Sequence, residues 1–293
     1  MYSQQALALN FDEQSSSEKT LVPPIKIQGI KTKLIPFIRE NININTASTW
    51  FEPFMGSGVV GFNLAPYNAI FSDVNPYIID FYNCLKHKEI TPEIVREYLE
   101  KEGKKLASTP TDKSSYYYEV RDRFNKEHNP LDFLFLQRSN FNGMIRFSKN
   151  GYNVPFGRKP NRFRPALITK IVNQVEKTQE KILDNNWTFI CSNWEEAIKQ
   201  ATTDDFIYLD PPYIGRNTDY YTSWNSEDAN KLANYFNEHI DLHFALSMWY
   251  KNKYRKNDHI SKWRGNMVTN EHFYYLGGHE TNRNSITEAL IIG

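Results

Sequence analysis

Apolar residues in this chain recur in short runs that read as strands. Thr49 to Phe54 is one, closing on a Gly-containing turn, and Ala69 to Val74 is a second, closing on Asp73-Val74-Asn75-Pro76. Thr188 to Cys191 and Phe206 to Leu209 have the unbroken apolar character of buried strands. His243 to Trp249 is another, and Thr287 to Ile292 is the last. Helical periodicity lies between some of them. Strands separated by helices predict an α/β fold, a Rossmann-like sheet whose site lies at the C-terminal ends of the strands.

The interval 86–164 breaks this rhythm. It carries charged helical patterns, Pro92 to Lys104 and Tyr116 to Lys126, and closes in a loop region rich in Gly, Asn and Arg. It is expected to be a mainly helical domain inserted between the second and third strands. The expected division is a flexible tail over 1–20, with the run Ser15-Ser16-Ser17, a first part of the main domain over 21–85, the insert over 86–164, and the second part over 165–293. No internal repeat is apparent.

Composition narrows the classes. Hydrophobic residues make up 40% of 293 residues, enough for a sizeable core. The net charge is +1, so any nucleic-acid contact must come from a local patch. Aromatics reach 15%, which suits either an aromatic core or stacking surfaces; Tyr116-Tyr117-Tyr118 reads as core. Cys84 and Cys191 have neither metal-ligand nor redox-motif spacing, and no metal site is expected. No long apolar run or signal-peptide pattern is present, so the expected location is cytoplasmic, without membrane contact.

Two motifs carry chemistry. Phe51-Glu52-Pro53-Phe54-Met55-Gly56-Ser57-Gly58-Val59-Val60-Gly61 sits where a strand turns into a helix. Gly56 and Gly58 permit a tight turn and close approach to a ligand, and Asp73 follows at the next strand end, placed to accept from ribose hydroxyls. Asp73 could equally cap the helix that starts at Pro76. This motif leaves a nicotinamide dinucleotide and S-adenosylmethionine both open. Asp210-Pro211-Pro212-Tyr213 decides between them. The prolines fix the backbone after a strand, and a carboxylate beside a fixed carbonyl can accept both hydrogens of an amino group. Tyr213 can stack on a base. Hydride transfer has no need of such a set.

With these motifs the chain resembles the Dam family of adenine-specific DNA methyltransferases, also called the D12 class, and within it the EcoRV-type modification enzymes. The likeness runs over nearly all of the chain after residue 20. It rests on the segments Pro23 to Lys33, Glu52 to Gly56, Phe141 to Phe147, Asn153 to Phe156, and Asp210 to Arg216. Their order is cofactor motif, target-recognition insert, catalytic motif. The resemblance implies S-adenosylmethionine as cofactor, double-stranded DNA as partner, a bacterial or phage origin and N6 methylation of a flipped adenine. It further implies a GAT-containing palindrome as target. A restriction endonuclease acting on the same site is an implied partner, and an orphan methylase is the other possibility.

Asp210, Pro211, Pro212 and Tyr213 are then the expected catalytic set. Ile27, Gln28, Gly29, Lys31, Pro53, Phe54, Met55, Gly56, Ser57, Gly58, Asp73, Val74 and Asp210 are expected around the cofactor, with Lys31 near its methionine carboxylate. Dam itself has Trp where this chain has Ile27, a departure shared by EcoRV-like members.

Between Arg138 and Arg164 lie seven cations and no acid. That stretch supplies most of the expected DNA contacts: Arg138, Asn140, Phe141, Asn142, Met144, Arg146, Asn153, Pro155, Arg158, Lys159 and Arg162, joined by Lys26. A second basic run, Lys251 to Lys256, suits either contact or simple solvation. Cytosine C5 chemistry needs a thiol after proline, and neither cysteine follows one. An RNA adenine methyltransferase and a non-catalytic DNA-binding regulator are the competing readings.

Overall fold

A computed structural model describes residues 19–27, 29–44, 48–214, 221, 224–273 and 285–293. The expected tail falls outside them except for Lys19 and Thr20, as do Gln28, Gly215 and Arg216.

Seven strands form one sheet: β1 (Thr49–Glu52), β2 (Asn68–Asp73), β5 (Asn186–Cys191), β6 (Phe206–Leu209), β7 (His243–Asn252), β8 (Asn266–Phe273) and β9 (Ser285–Ile292). Their spatial order is β5-β2-β1-β6-β7-β9-β8. The first five are parallel, and β9 is antiparallel to both of its neighbours. A two-stranded hairpin, β3 (Phe147–Ser148) and β4 (Gly151–Tyr152), stands apart. The mixed α/β fold with a mostly parallel sheet agrees with the sequence reading.

Alternation along each strand sends successive side chains to opposite faces, and both faces are covered. Trp50, Phe71 and Tyr208 join a core with helices α1 (Ile35–Asn41), α3 (Pro76–Lys86), α4 (Pro92–Ala107) and α7 (Pro165–Leu183). Phe51, Ile207, Leu209 and Leu246 join another with α8 (Trp194–Ile198) and α9 (Ser226–Glu238). Helix starts follow their capping chemistry. Asn75 accepts from the Tyr77 N–H at 3.1 Å ahead of Pro76, and Asn225 with Asp228 forms a capping box.

The interval 86–164 holds α4, α5 (Tyr116–Glu127), α6 (Pro130–Ser139) and the β3–β4 hairpin. Val95, Tyr117, Phe124, Phe133 and Tyr152 pack into the core that covers the first face of the sheet. Tyr116 and Tyr117 are buried, in accord with their reading as core. The short α2 (Gly61–Leu64) follows the glycine turn. No helix among the described residues is long and apolar enough to cross a membrane.

Candidate active site

β1 and β6 are neighbours at the centre of the sheet, and the chain leaves them toward opposite sides: β2 and β5 lie beyond β1, β7 beyond β6. Such a reversal opens a crevice at the strand C-termini. The glycine turn after β1 and the Asp-Pro-Pro-Tyr run after β6 both end there.

The turn is held by its own backbone. Gly58 N–H donates to the Met55 carbonyl at 2.6 Å, Met55 N–H to the Ser72 carbonyl at 2.9 Å, and the Tyr82 hydroxyl to the Ser57 carbonyl at 2.6 Å. Gly58 has φ +73°, and a Cβ there would lie 2.7 Å from the Phe62 ring, so only glycine fits. Asp73 receives the Gly56 N–H at 3.0 Å on one oxygen and the Asn75 N–H at 2.9 Å on the other. The carboxylate therefore both ties the turn to β2 and presents acceptors to the crevice. Burial pushes its pKa up against those backbone donors.

The crevice is a cavity of about 410 Å³. Of the expected cofactor residues, Ile27, Gly29, Lys31, Pro53 to Ser57, Asp73, Val74 and Asp210 line it, and Gly58 does not, closing the turn onto Met55 instead. Apolar walls from Ile78, Val74 and Met55 beside the Asp73 acceptors suit a flat nucleoside with hydroxyls. Sequence reasoning missed Asn193 to Glu195 and the α9 residues Asp228 and Lys231, which complete the wall. The signal for the first group was its place directly after a strand predicted to end at Cys191.

Asp210 enters the cavity from the other side. Its Oδ1 accepts from Lys31 Nζ at 2.9 Å, and the same ammonium donates to the Tyr213 hydroxyl at 3.0 Å. Lys31 is only 3% exposed. Burial works against its charge, but Asp210 and Tyr213 hold its pKa well above the usual lysine value. Burial likewise raises Asp210, opposed by Lys31. Pro212 lines the main cavity, whereas Pro211 and Tyr213 line a small pocket beside it. Glu52, at the end of β1, is a buried acid that the sequence reading passed over. It accepts from Trp50 Nε1 at 3.0 Å, and burial pushes its pKa up to about 8.

The basic stretch lies beside the crevice. Met144 lines the cavity, and Phe141 is exposed. Lys26, Arg138, Lys159 and Arg162 are close enough to repel one another: burial and then Arg162, Arg138 and Lys159 lower the Lys26 pKa, and burial with Arg162 brings Arg138 down to about 10. Arg146 donates from Nε to Asn153 Oδ1 at 2.7 Å and to the Asn153 carbonyl at 3.0 Å, so two expected base readers are joined. Asn140 is turned inward, donating to the Met144 carbonyl at 2.7 Å and to the Tyr152 hydroxyl at 2.6 Å. Phe141 N–H donates to the Pro155 carbonyl, closing the loop. Asn142 and Arg158 have positive φ, and Arg158 is exposed with Lys159. In the second basic run, Arg255 lies over the Trp249 ring and Lys256 over Tyr250. Among the described residues no group of acids, histidines and cysteines is placed to hold a metal ion.

Comparison with known proteins shows the family. The model of the family described as D12 class N6 adenine-specific DNA methyltransferase matches residues 28–276. The type II methyltransferase M.FokI of Planomicrobium okeanokoites is 29% identical over 285 residues, 92% of this chain but 42% of that protein. The type II methyltransferase M1.LlaDCHI of Lactococcus lactis subsp. cremoris is 31% identical over 217 residues, 71% of each chain. The DNA adenine methylase of Escherichia coli K12 is 30% identical over 206 residues, 67% of this chain and 69% of that one. The chain thus spans less than half of the first relative and about seven tenths of the other two.

Proposed function

This chain belongs to the D12 class N6 adenine-specific DNA methyltransferases, and from that premise we propose that it methylates the exocyclic amine of adenine in duplex DNA, with S-adenosylmethionine as donor. One observation carries the reading. Asp210, at the end of β6, faces the same cavity as Asp73 and the Gly56 turn. An amine acceptor and a nucleoside site thus share one space.

The cofactor, when bound, supplies an activated methyl group. Asp73 would accept from its ribose hydroxyls, and the segment from Pro53 to Ser57 would hold it along the cavity wall. The target amine is hidden in a base pair, so the adenine must leave the helix to reach the site. Asp210 and the Pro211 carbonyl then accept hydrogen bonds from its two N–H groups, which would free the nitrogen lone pair for methylation; the nitrogen gains the methyl group, the thioether product leaves, and one amine proton passes to solvent. Lys31 holds Asp210 in place, and the Tyr213 ring packs on the flipped base. No covalent enzyme intermediate is needed.

Residues 86–164 act as the target-recognition part. The cations around Lys26, Arg138, Lys159 and Arg162 follow phosphates, and Arg146 with Asn153 reads base edges. A GAT-containing palindrome is the proposed target. Two relatives are named as type II methyltransferases, and a restriction endonuclease cutting the same site is the proposed genetic partner. The enzyme works in the cytoplasm.

The test is transfer of a radiolabelled methyl group from S-adenosylmethionine to duplex DNA, followed by nucleoside analysis. N6-methyladenine is expected, and a panel of methylation-sensitive nucleases then identifies the site. Label appearing only in RNA, or in no nucleic acid, would overturn the reading.

A further inference from the structure

A fourth group touches the Lys31, Asp210 and Tyr213 set from the antiparallel end of the sheet. Glu288 lies on β9, opposite Trp249 of β7 and Asn270 of β8, and is 2% exposed. The Tyr213 hydroxyl is 3.2 and 3.5 Å from its two carboxylate oxygens. A buried acid between two strands is costly unless it is paired, and an apolar side chain would fill the position at less cost.

Donor counting fixes the direction of the contacts. An ammonium only donates, and a phenol has one proton to give. Lys31 donates to Asp210 and to Tyr213, so the Tyr213 oxygen is an acceptor toward Lys31. Among the described residues, the Tyr213 proton is directed to Glu288. The path therefore runs one way, from Lys31 through Tyr213 to Glu288, while a separate Lys31 proton goes to Asp210.

We propose that Glu288 is a positioning residue for methyl transfer: by taking the Tyr213 proton it fixes the Tyr213 oxygen toward Lys31, and so fixes Lys31 on Asp210. This rests on the reading of Asp210 as the amine acceptor. Among the described residues, the groups facing Asp210 are Lys31 from the segment before α1, Glu52 from β1, Tyr208 within β6, Tyr213 from the loop after it and Glu288 from β9. Burial raises the Asp210 pKa, Lys31 opposes that, and the negative charge of Glu288 raises it further. Removing that charge must make Asp210 easier to ionise.

Glu288→Gln keeps an acceptor oxygen and removes the charge. Glu288→Leu removes both. Single-turnover methylation of duplex DNA by the full chain is measured against pH for wild type and both variants. Asp210 has to be ionised to accept, so the acidic limb should move to lower pH in both. The plateau rate should fall about tenfold in Glu288→Leu and by less in Glu288→Gln, with cofactor affinity from calorimetry changed no more than a few-fold. In a Tyr213→Phe background the two substitutions should differ little in plateau rate. Carbon NMR of the Asp210 carboxyl reads the same titration without turnover, and its midpoint should drop in Glu288→Gln. An unshifted limb and midpoint, with losses that only follow thermal unfolding, would make Glu288 a structural residue and end the proposal. A wild-type chain that methylates no DNA would instead overturn the functional reading, and the NMR midpoint would still decide whether Glu288 acts on Asp210.

Discussion

Two buried charge clusters in this molecule use the same ingredients and reach opposite ends. In the helices between β2 and β5, Arg123 of α5 donates to Asp132 of α6 at 2.8 and 2.5 Å and to Glu102 of α4 at 3.2 Å. Tyr98 also donates to Asp132, and Tyr116 and Lys105 to Glu102. Burial pushes Glu102 up, yet those donors outweigh it and hold its pKa below the ordinary value. At the cavity one lysine serves Asp210 while Tyr213 and Glu288 share the space, and the Asp210 pKa stays raised. The first cluster is saturated by its own protein. The second keeps an acid in reserve beside a cavity, which suits a group that must accept hydrogens from something else.

Breaking the saturated cluster should have the largest effect. Arg123→Leu leaves Glu102 and Asp132 buried without their shared cation and should cost about 3 to 5 kcal/mol of stability. Denaturant unfolding measures this. The methylation rate per folded molecule should stay near wild type, and a large rate loss would mean the two regions are coupled.

The cavity cluster should respond the other way. Asp210→Ala should cut methyl transfer by at least about 10²-fold, with cofactor affinity largely kept. Transfer within a few-fold of wild type would remove Asp210 from the acceptor role.

A smaller effect is expected at the end of β2. Asp73→Ala removes a charged acceptor worth about 1.5 to 3 kcal/mol, so S-adenosylmethionine should bind more weakly by about tenfold or more in calorimetry. Unchanged affinity would leave Asp73 as a cap for α3 and a tie for the glycine turn.

The last prediction concerns pH. Glu52 has a folded pKa raised to about 8. Its contribution to stability is full below its unfolded value near 4.5 and is lost as pH rises through 8. Glu102 is shifted down, so its contribution is present above its unfolded value and lost as pH falls through the folded one. Glu52→Gln should therefore flatten the decline of melting temperature between about pH 5 and 8 and leave the acid side unchanged.

How much of this was legible in the sequence depended on what each segment buries. Phe206 to Leu209 is apolar throughout because both of its faces are covered, and it was read without error. β8 was missed, since Asn266, Thr269, Asn270 and Glu271 give an outer strand little apolar signal. α6 is buried nearly all round, with Asp132, Gln137 and Ser139 as well as Phe133 to Leu136, and so shows no helical stripe. The turn motif and Asp210 were readable because their chemistry is local in sequence. Glu288 was not, since its partner Tyr213 is 75 residues away and only the sheet brings them together. Asn140 looked like a DNA contact by composition, yet its amide holds the loop from within.

The place of β9 has a consequence for how the chain is made. β9 follows β8 in sequence but lies between β7 and β8 in space. A ribosome therefore releases β7 and β8 before the strand that joins them exists. During that interval β7, with Phe244, Leu246, Met248 and Trp249, offers a bare edge to any other extended chain. Synthesis thus passes through an adhesive stage, and a chaperone that shields extended apolar segments should matter most between the release of β8 and the release of β9.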